Sequence, residues 1–189
     1  MTFPRDEDLA TARLDSAYHQ MRVLILVEAV ANVRGHASKL DGLTKLAKLD
    51  FLVRYPALAP SVLPKLDSDD PRLHLSAEEL DDPTNVESPM VRYKYGPWDD
   101  RYYPVIGALV GRGLLRYVRG RRGSVALATT PLGKRVAHEL AGTEEWRQLA
   151  DRSRAVAQAS TGMTGNALKD LIYEQLADLM DRPYREVIR

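Results

Sequence analysis

Five arginines lie close together in the second half of the chain, and they are the side chains best suited to a chemical task. A guanidinium group is planar, always charged and rich in donors, which suits it to contacts with phosphate. The alternatives are a solvated turn, or a socket for an acidic segment or a protein partner. We predict these residues as the DNA-binding set: Arg112, Arg116, Arg119, Arg121 and Arg122.

The residue types that carry catalysis or bind metal form no recognisable pattern. Cysteine is absent, which excludes disulfides, thiol nucleophiles and thiolate metal sites. The four histidines, at positions 19, 36, 74 and 138, include no pair at the spacing of metal ligands on a helix. The adjacent carboxylates Asp99 and Asp100 would point about 100° apart on a helix, which suits capping better than acid–base chemistry. The sequence therefore predicts no catalytic residue, no metal site and no cofactor.

The formal charge is balanced overall but separated along the chain. There are 27 Lys and Arg against 26 Asp and Glu, a net charge of +1. Between Leu66 and Ser88 there are eight acids and one base, a net of −7. Between Met90 and Arg135 there are ten bases and two acids, a net of +8. Such a separation indicates either an acidic segment folded over a basic face or a basic face kept for a polyanion.

The first half of the chain is predicted to be helical. Apolar residues recur at spacings of three and four over residues 8–34, which predicts one long helix. A second helix is predicted over 41–54, ending before a proline, and a short one within 57–66. Residues 66–89 have little periodicity and are predicted as a loop, with one helical turn starting at a Ser-x-x-Glu capping pattern.

The second half alternates between helices and short β segments. Apolar and basic residues alternate over 90–95, which predicts a strand that Gly96 and Pro97 interrupt. A helix is predicted to open at Trp98. Two β-prone runs around a glycine-bounded basic turn predict a hairpin at 114–129. The remaining predicted elements are helices from Thr130 to Ala141, over 144–158 and over 166–181.

Helix, hairpin and helix with a basic hairpin tip is the order typical of a winged helix-turn-helix. We therefore predict a mainly α fold of the α+β class, with a small β-hairpin wing, a long N-terminal helix and a C-terminal helical extension. The predicted regions are an N-terminal helical part (1–66), an acidic loop (67–89), a winged-helix part (90–141) and the extension (142–189).

Composition and hydropathy predict a cytoplasmic protein without membrane contact. Hydrophobic residues make up 44% of the chain and charged residues 28%, which is typical of a globular protein. The longest apolar run, Val23–Val27, is far shorter than the roughly 20 residues that cross a bilayer. The first eight residues lack the basic start and apolar stretch of a secretory signal.

Two segments together resemble a known family. Residues 40–56 read LDGLTKLAKLDFLVRYP and residues 90–103 read MVRYKYGPWDDRYY. They resemble the middle component proteins of bacterial three-component ABC-ATPase systems of the Lamassu-like anti-phage defence type. The resemblance covers roughly residues 20–140. General winged-helix regulators share the hairpin pattern but not the run KLDFLVRYP.

The resemblance implies a winged-helix accessory subunit without catalytic residues. Its implied partners are an SMC- or Rad50-like ABC ATPase and an effector, often a nuclease, of the same operon. The predicted second helix is apolar on more than one side, as expected for either a central helix or an interface. We predict a partner interface formed by Leu43, Leu46, Phe51, Arg54, Tyr55, Tyr95 and Trp98.

The leading hypothesis is a non-catalytic subunit that links the ATPase to the effector and contacts double-stranded DNA through a basic wing, without sequence specificity. The alternative is a stand-alone winged-helix transcription regulator that binds operator DNA as a homodimer. A third and more remote hypothesis is a small effector enzyme whose site the sequence does not reveal.

Overall fold

Helices dominate the chain, and two small antiparallel sheets lie among them. The computed structural model describes residues 6–189, with side chains from residue 15 onward. The helices are α1 (Asp6–Asn32), α2 (Leu43–Arg54), α3 (Ala59–Val62), α4 (Ala77–Asp81), α5 (Tyr102–Gly111), α6 (Pro131–Ala141), α7 (Glu144–Ala159), α8 (Gly165–Gln175) and α9 (Ala177–Met180). The strands are β1 (Leu40–Asp41), β2 (Val91–Tyr93), β3 (Gly96–Trp98), β4 (Leu115–Arg119) and β5 (Val125–Thr129). Single-turn 3₁₀ helices lie at Pro56–Leu58 and Pro71–Leu73.

This arrangement confirms the predicted α+β class with a small hairpin. The helix predicted at 8–34 corresponds to α1. The prediction that the chain has no secretory signal rests in part on residues 1–5, which lie outside the described residues. The caps read from the sequence are also present. The hydroxyl of Thr130 accepts the amide of Gly133 at the start of α6, and Ser76 and Glu79 form a capping box at α4.

Helices α1 and α2 form the interior. Residues 22–27 of α1 are buried on every side, because the run Val23–Val27 is apolar all round. Every residue of α2 from Lys45 to Arg54 is also buried. α2 lies against α1, α7, α8 and β3, so its apolar residues on several sides are explained by a central position.

The hairpin β4–β5 joins the N-terminal part of the chain in one sheet. The strand order is β1-β5-β4, with Leu40 opposite Leu127 and Leu115 opposite Thr129. Residues from all four predicted regions contribute to one hydrophobic core, among them Leu52, Leu73, Leu109 and Ile172. The predicted boundaries at 66, 89 and 141 therefore do not separate independent units.

Several predicted element bounds are wrong, most clearly around Gly96. The chain forms a second hairpin there, with β2 and β3 joined by a two-residue turn, so α5 begins at Tyr102 rather than at Trp98. Gly96 has φ +95°, which a glycine adopts without strain. Similarly, Asp41 belongs to strand β1 and does not start α2, because Gly42 (φ +91°) turns the chain between β1 and α2.

The C-terminal end also differs from the prediction. The helix predicted over 166–181 is interrupted at Leu176, whose φ of −124° lies outside the helical region. After α9 the chain returns to β2. The amide of Arg92 donates to the carbonyl of Glu186, and the amide of Arg185 donates to the carbonyl of Arg92. No local sequence pattern predicts this pairing, because it joins segments about 90 residues apart.

Candidate nucleic-acid interface

The tip of the β4–β5 hairpin is a tight turn in a left-handed conformation. Arg122 has φ +50° and Gly123 has φ +80°, and the amide of Gly120 donates to the carbonyl of Ser124. A Cβ at Gly120 would overlap the carboxylate of Asp41, so only glycine fits there. Holding an arginine in the left-handed region costs roughly 1–2 kcal/mol, which the rest of the fold must offset.

Strand β1 and the turn before it hold this hairpin in place through its backbone. The carboxylate of Asp41 accepts the amide of Arg121 at 3.0 Å and the hydroxyl of Ser124 at 3.3 Å. The ammonium of Lys39 donates to the carbonyl of Arg119 at 2.8 Å. Because these bonds use backbone and serine groups, the arginine side chains of the hairpin stay free.

All five arginines predicted to bind DNA are exposed. None of their guanidinium groups forms an ion pair with a carboxylate among residues 15–189, where side chains are described. Arg119, Arg121 and Arg122 come together at the hairpin tip. Arg116 leaves the opposite face of β4 from Arg119, because side chains alternate along a strand. Arg112 follows the last residue of α5.

The acidic segment 67–89 does not cover these arginines. It packs on helix α7 instead, where the guanidinium of Arg152 donates to Glu79 at 2.9 Å and to the carbonyl of Leu73 at 2.6 Å. His74 lies 2.8 Å from the carboxylate of Asp151. Of the two explanations for the separated charges, an acidic segment folded over the basic face is therefore wrong for this fold.

A buried ionic network fixes the start of α5 against α1 and α2. Asp50 is fully buried on α2, and Arg22 of α1 donates to both of its carboxylate oxygens at 2.8 and 3.0 Å. The hydroxyl of Tyr102 donates to Asp50 at 2.7 Å. Burial acts to raise the pKa of Asp50, but the guanidinium groups of Arg22 and Arg54 outweigh it and hold that pKa below its ordinary value.

The second carboxylate of this network is Asp99, immediately before α5. Arg54 donates to it at 2.8 Å and Arg101 at 2.9 Å. Despite the opposing effect of burial, these contacts hold the pKa of Asp99 far below its ordinary value. Arg54 also donates to the carbonyls of Ser88 and Pro89, which anchors the end of the acidic segment. These bonds occupy Asp99 in positioning α5.

Most of the predicted partner interface lies in the interior. Leu46, Phe51 and Tyr55 have no exposed surface, and Arg54 is buried in the ionic network. Leu43 is only partly buried. For the four buried residues the predicted interface is wrong, because these side chains are enclosed by the rest of the fold and cannot contact a partner.

Of the other two predicted interface residues, Trp98 lies at an aromatic surface, and Tyr95 is exposed in the turn between β2 and β3. We call the aromatic patch the set Tyr93, Trp98, Tyr103 and Tyr184. Ring centroids are 5.8 Å apart for Tyr93 and Trp98, 5.3 Å for Tyr93 and Tyr184, and 6.1 Å for Trp98 and Tyr103. Tyr95, Tyr103 and Tyr184 are more than half exposed. Sequence reasoning missed Tyr184, because only the return of the C-terminal segment to β2 brings it here.

The outer face of α5 carries few groups that could read bases. Its exposed positions are Tyr103, Pro104, Gly107 and Gly111. None of these four side chains is charged or an amide, whereas base-edge recognition in the major groove depends mainly on such groups.

Within the described part of the chain, no group of three or more His, Asp or Glu side chains is arranged to hold a metal ion. Nor is any described helix both long and apolar enough to cross a membrane. Comparison with protein-family models, with curated proteins and with solved structures found no match.

Proposed function

We propose that this protein is a non-catalytic, DNA-contacting accessory subunit of an SMC-like ABC ATPase complex in anti-phage defence, which it links to an effector. The proposed DNA contact is supported by the exposed arginines on the hairpin, none of which has a carboxylate partner among the described residues. Phosphates would supply the missing counter-charge.

The order of elements supports a winged-helix interpretation of the fold. In the sequence α1, β1, α2, α5, β4, β5, the strands pair in the order β1-β5-β4 and the basic turn lies between β4 and β5. In this interpretation α5 corresponds to the recognition helix and the hairpin to the wing. Residues 56–101 are then an insertion between α2 and α5, held by the ionic network.

The character of α5 favours sequence-independent contact over the alternative of an operator-binding regulator. Tyrosine, proline and glycine at its exposed positions offer little for base-edge recognition. Arginines at a hairpin tip can contact phosphates, which carry no sequence information.

The DNA contact is tested by replacing Arg119, Arg121 and Arg122 with alanine and measuring affinity for a random-sequence duplex between 50 and 200 mM salt. Each lost phosphate contact should reduce the log–log salt slope by about 0.9, so the triple variant should lose up to about 2.7 units. The matched control replaces Arg34, Arg147 and Arg154, which are also exposed, and should keep the slope. Equal slopes for both triple variants would show that the wing does not contact DNA.

The partner part of the proposal rests on the resemblance and on the aromatic patch, since exposed tyrosines are enriched at protein interfaces. Co-expression with the ATPase of the same operon should give a complex that survives size exclusion. Tyr103→Glu combined with Tyr184→Glu should abolish it without altering the circular dichroism of the free chain. Leu80→Glu, at an exposed position of α4, should leave it intact. A parent chain that never associates with the ATPase would contradict this assignment.

A further inference from the structure

A cleft of about 630 Å³ lies at the base of the wing. Its walls are the turn before β1, the first turn of α2, the tip of the hairpin and the turn before α8. The volume falls within the range of about 300–1,000 Å³ that small-molecule sites occupy. The cleft is therefore large enough for a ligand the size of a nucleotide.

The charged side chains of the cleft are mostly cationic. One carboxylate, Asp41, lines it, and that group already accepts the amide of Arg121 and the hydroxyl of Ser124. Four cations and one anion give the cleft a net charge of +3. The cations are Lys39, Lys45, Arg121 and Arg122.

Lys45 is the cation that most needs a counter-ion. It is only 6% exposed, and its ammonium donates to the carbonyl of Met163 at 2.8 Å and lies 3.2 Å from Nδ1 of His36. Nε2 of His36 is 2.8 Å from the carbonyl of Ala157, so this nitrogen carries the ring proton and Nδ1 accepts from Lys45. Both partners of the ammonium are neutral, and no described carboxylate pairs with it. Burial lowers the pKa of Lys45 although Asp41 attracts its ammonium without pairing with it. The buried charge is therefore only partly compensated, and a bound anion would compensate it further.

Two helix N-termini meet at the same cleft and add to its preference for anions. Gly42 caps α2 without a side-chain bond, so the amides of its first turn have no side-chain partner at the cap. α8 begins at Gly165, where a Cβ would lie 3.0 Å from the amide nitrogen of Lys45. Glycine thus lets the two helices approach, and the partial positive charges of both ends add to those of the side chains.

We propose that this cleft binds a phosphate group, carried either by a free nucleotide or by the 5′ end of a nucleic-acid strand. The shared chemistry is a phosphate dianion that pairs with Lys45 and accepts from Arg121 and Arg122. The cleft adjoins the wing, so a strand end that follows the wing could reach it.

The test measures binding of inorganic pyrophosphate, ATP, and a short DNA strand with and without a 5′-phosphate to the full chain by calorimetry. Tight binding of ATP with no preference for the 5′-phosphate supports a free nucleotide. At least tenfold tighter binding of the 5′-phosphorylated strand supports a strand end. If no phosphate compound binds and the two strands bind equally, the proposal is overturned.

Two variants locate the site. Lys45→Met should weaken phosphate binding at least tenfold, and so should Asn166→Asp, which puts a carboxylate on the exposed lip of the cleft. Since an acid in the first turn of a helix is favourable, Asn166→Asp should fold even if Lys45→Met does not. Asn85→Asp, an equal charge change on the acidic segment, should have no effect. Unchanged phosphate binding in Asn166→Asp would overturn the assignment to this cleft.

A third variant separates this site from the proposed DNA contact of the wing. Arg119 does not line the cleft. Arg119→Met should therefore reduce affinity for a 5′-hydroxyl duplex while leaving pyrophosphate binding unchanged. A chain that binds pyrophosphate but no duplex would refute the proposed DNA contact of the wing and support phosphate binding in the cleft. A chain that binds the duplex but not pyrophosphate would refute only phosphate binding in the cleft.

Discussion

Arginine side chains have opposite surroundings in two regions of this molecule, the buried ionic network and the β4–β5 hairpin. In the ionic network, Arg22 and Arg54 are almost fully buried and each lies within hydrogen-bonding distance of a carboxylate. On the β4–β5 hairpin, the arginines are exposed and have no described carboxylate partner. A buried charge that loses its partner is strongly destabilising, whereas most surface changes alter stability by less than about 0.5 kcal/mol. The comparison indicates that the first group serves the fold and that the second is free for a ligand.

The largest effect is expected from removing the shared carboxylate of the buried group. Asp50→Asn keeps the shape of the side chain but leaves two buried guanidinium groups without a full counter-charge, so we expect a loss of about 3–5 kcal/mol in the free energy of unfolding. The control is Asp100→Asn, whose carboxylate pairs with Arg185 at the surface, where an ion pair contributes little to stability. Urea denaturation measures both. A similar loss in the two variants would contradict the distinction between the regions.

Replacing an arginine by lysine keeps the charge but changes the hydrogen-bonding geometry, so it should destabilise the chain in the buried network and not on the hairpin. Arg54 donates through three nitrogens to Asp99 and to the carbonyls of Ser88 and Pro89, and a lysine ammonium cannot span these acceptors. Each acceptor left unpaired costs about 1–3 kcal/mol, so Arg54→Lys should destabilise the chain by about 2–4 kcal/mol.

The matched variant is Arg119→Lys on the wing. It should change stability by less than about 0.5 kcal/mol and should retain DNA affinity, because a phosphate accepts a point charge. Thermal unfolding and duplex binding check the two outcomes. A wing that loses affinity on this exchange would indicate a bidentate contact rather than a diffuse one.

The β4–β5 hairpin was easier to predict from the sequence than the ionic network. A hairpin is a local pattern, so Gly120, Gly123 and the flanking β-prone runs were enough to predict it. The network joins residues that are distant in the chain, such as Arg22 and Asp99, which are 77 positions apart, and no local period relates them. Arg54 was predicted at an interface for this reason. Its partners are supplied by the inserted segment, whose path the sequence does not reveal.

Burial was the other quantity that the sequence could not provide. The apolar width of α2 allowed both a central helix and an interface, and only the positions of α7 and α8 decide between them. The cleft was missed because its cations come from distant turns. Lys45 and Arg121 lie in different elements and belong to no common sequence motif. A lysine in a helix usually indicates a face exposed to solvent.

A smaller effect is expected from pH, through His19 at the edge of the network. Burial lowers the pKa of His19 to about 4, helped by Arg22 and Arg101 and opposed by Asp15 and Asp99. Below pH 6.5 the unfolded chain takes up a proton that the folded chain refuses. Stability should therefore fall between about pH 6.5 and 4, by at most about 1.4 kcal/mol per pH unit.

Urea denaturation at several pH values in this window gives the slope. His19→Gln should remove the contribution of this group, while His138→Gln, at an exposed position of α6, should preserve it. An unchanged slope in His19→Gln would mean that protonation of His19 is not coupled to the network.

The smallest effect is expected at Arg122, where the wing should gain stability while it loses affinity. The residue has φ +50° and ψ +31°, a region in which asparagine is several times more common than arginine. Arg122→Asn should therefore raise the free energy of unfolding by up to about 1 kcal/mol, an increase of roughly 2–4 °C in Tm. It should also reduce the salt slope of DNA binding by about 0.9. Arg119→Asn removes the same charge from a strand, where asparagine is disfavoured, and should lose affinity without gaining stability. If Arg122→Asn is no more stable than Arg119→Asn, the turn stores no strain. If it is more stable and binds DNA as the parent does, Arg122 does not contact the phosphates of the duplex, and its role would lie instead in the cleft beneath it, which Arg122 lines.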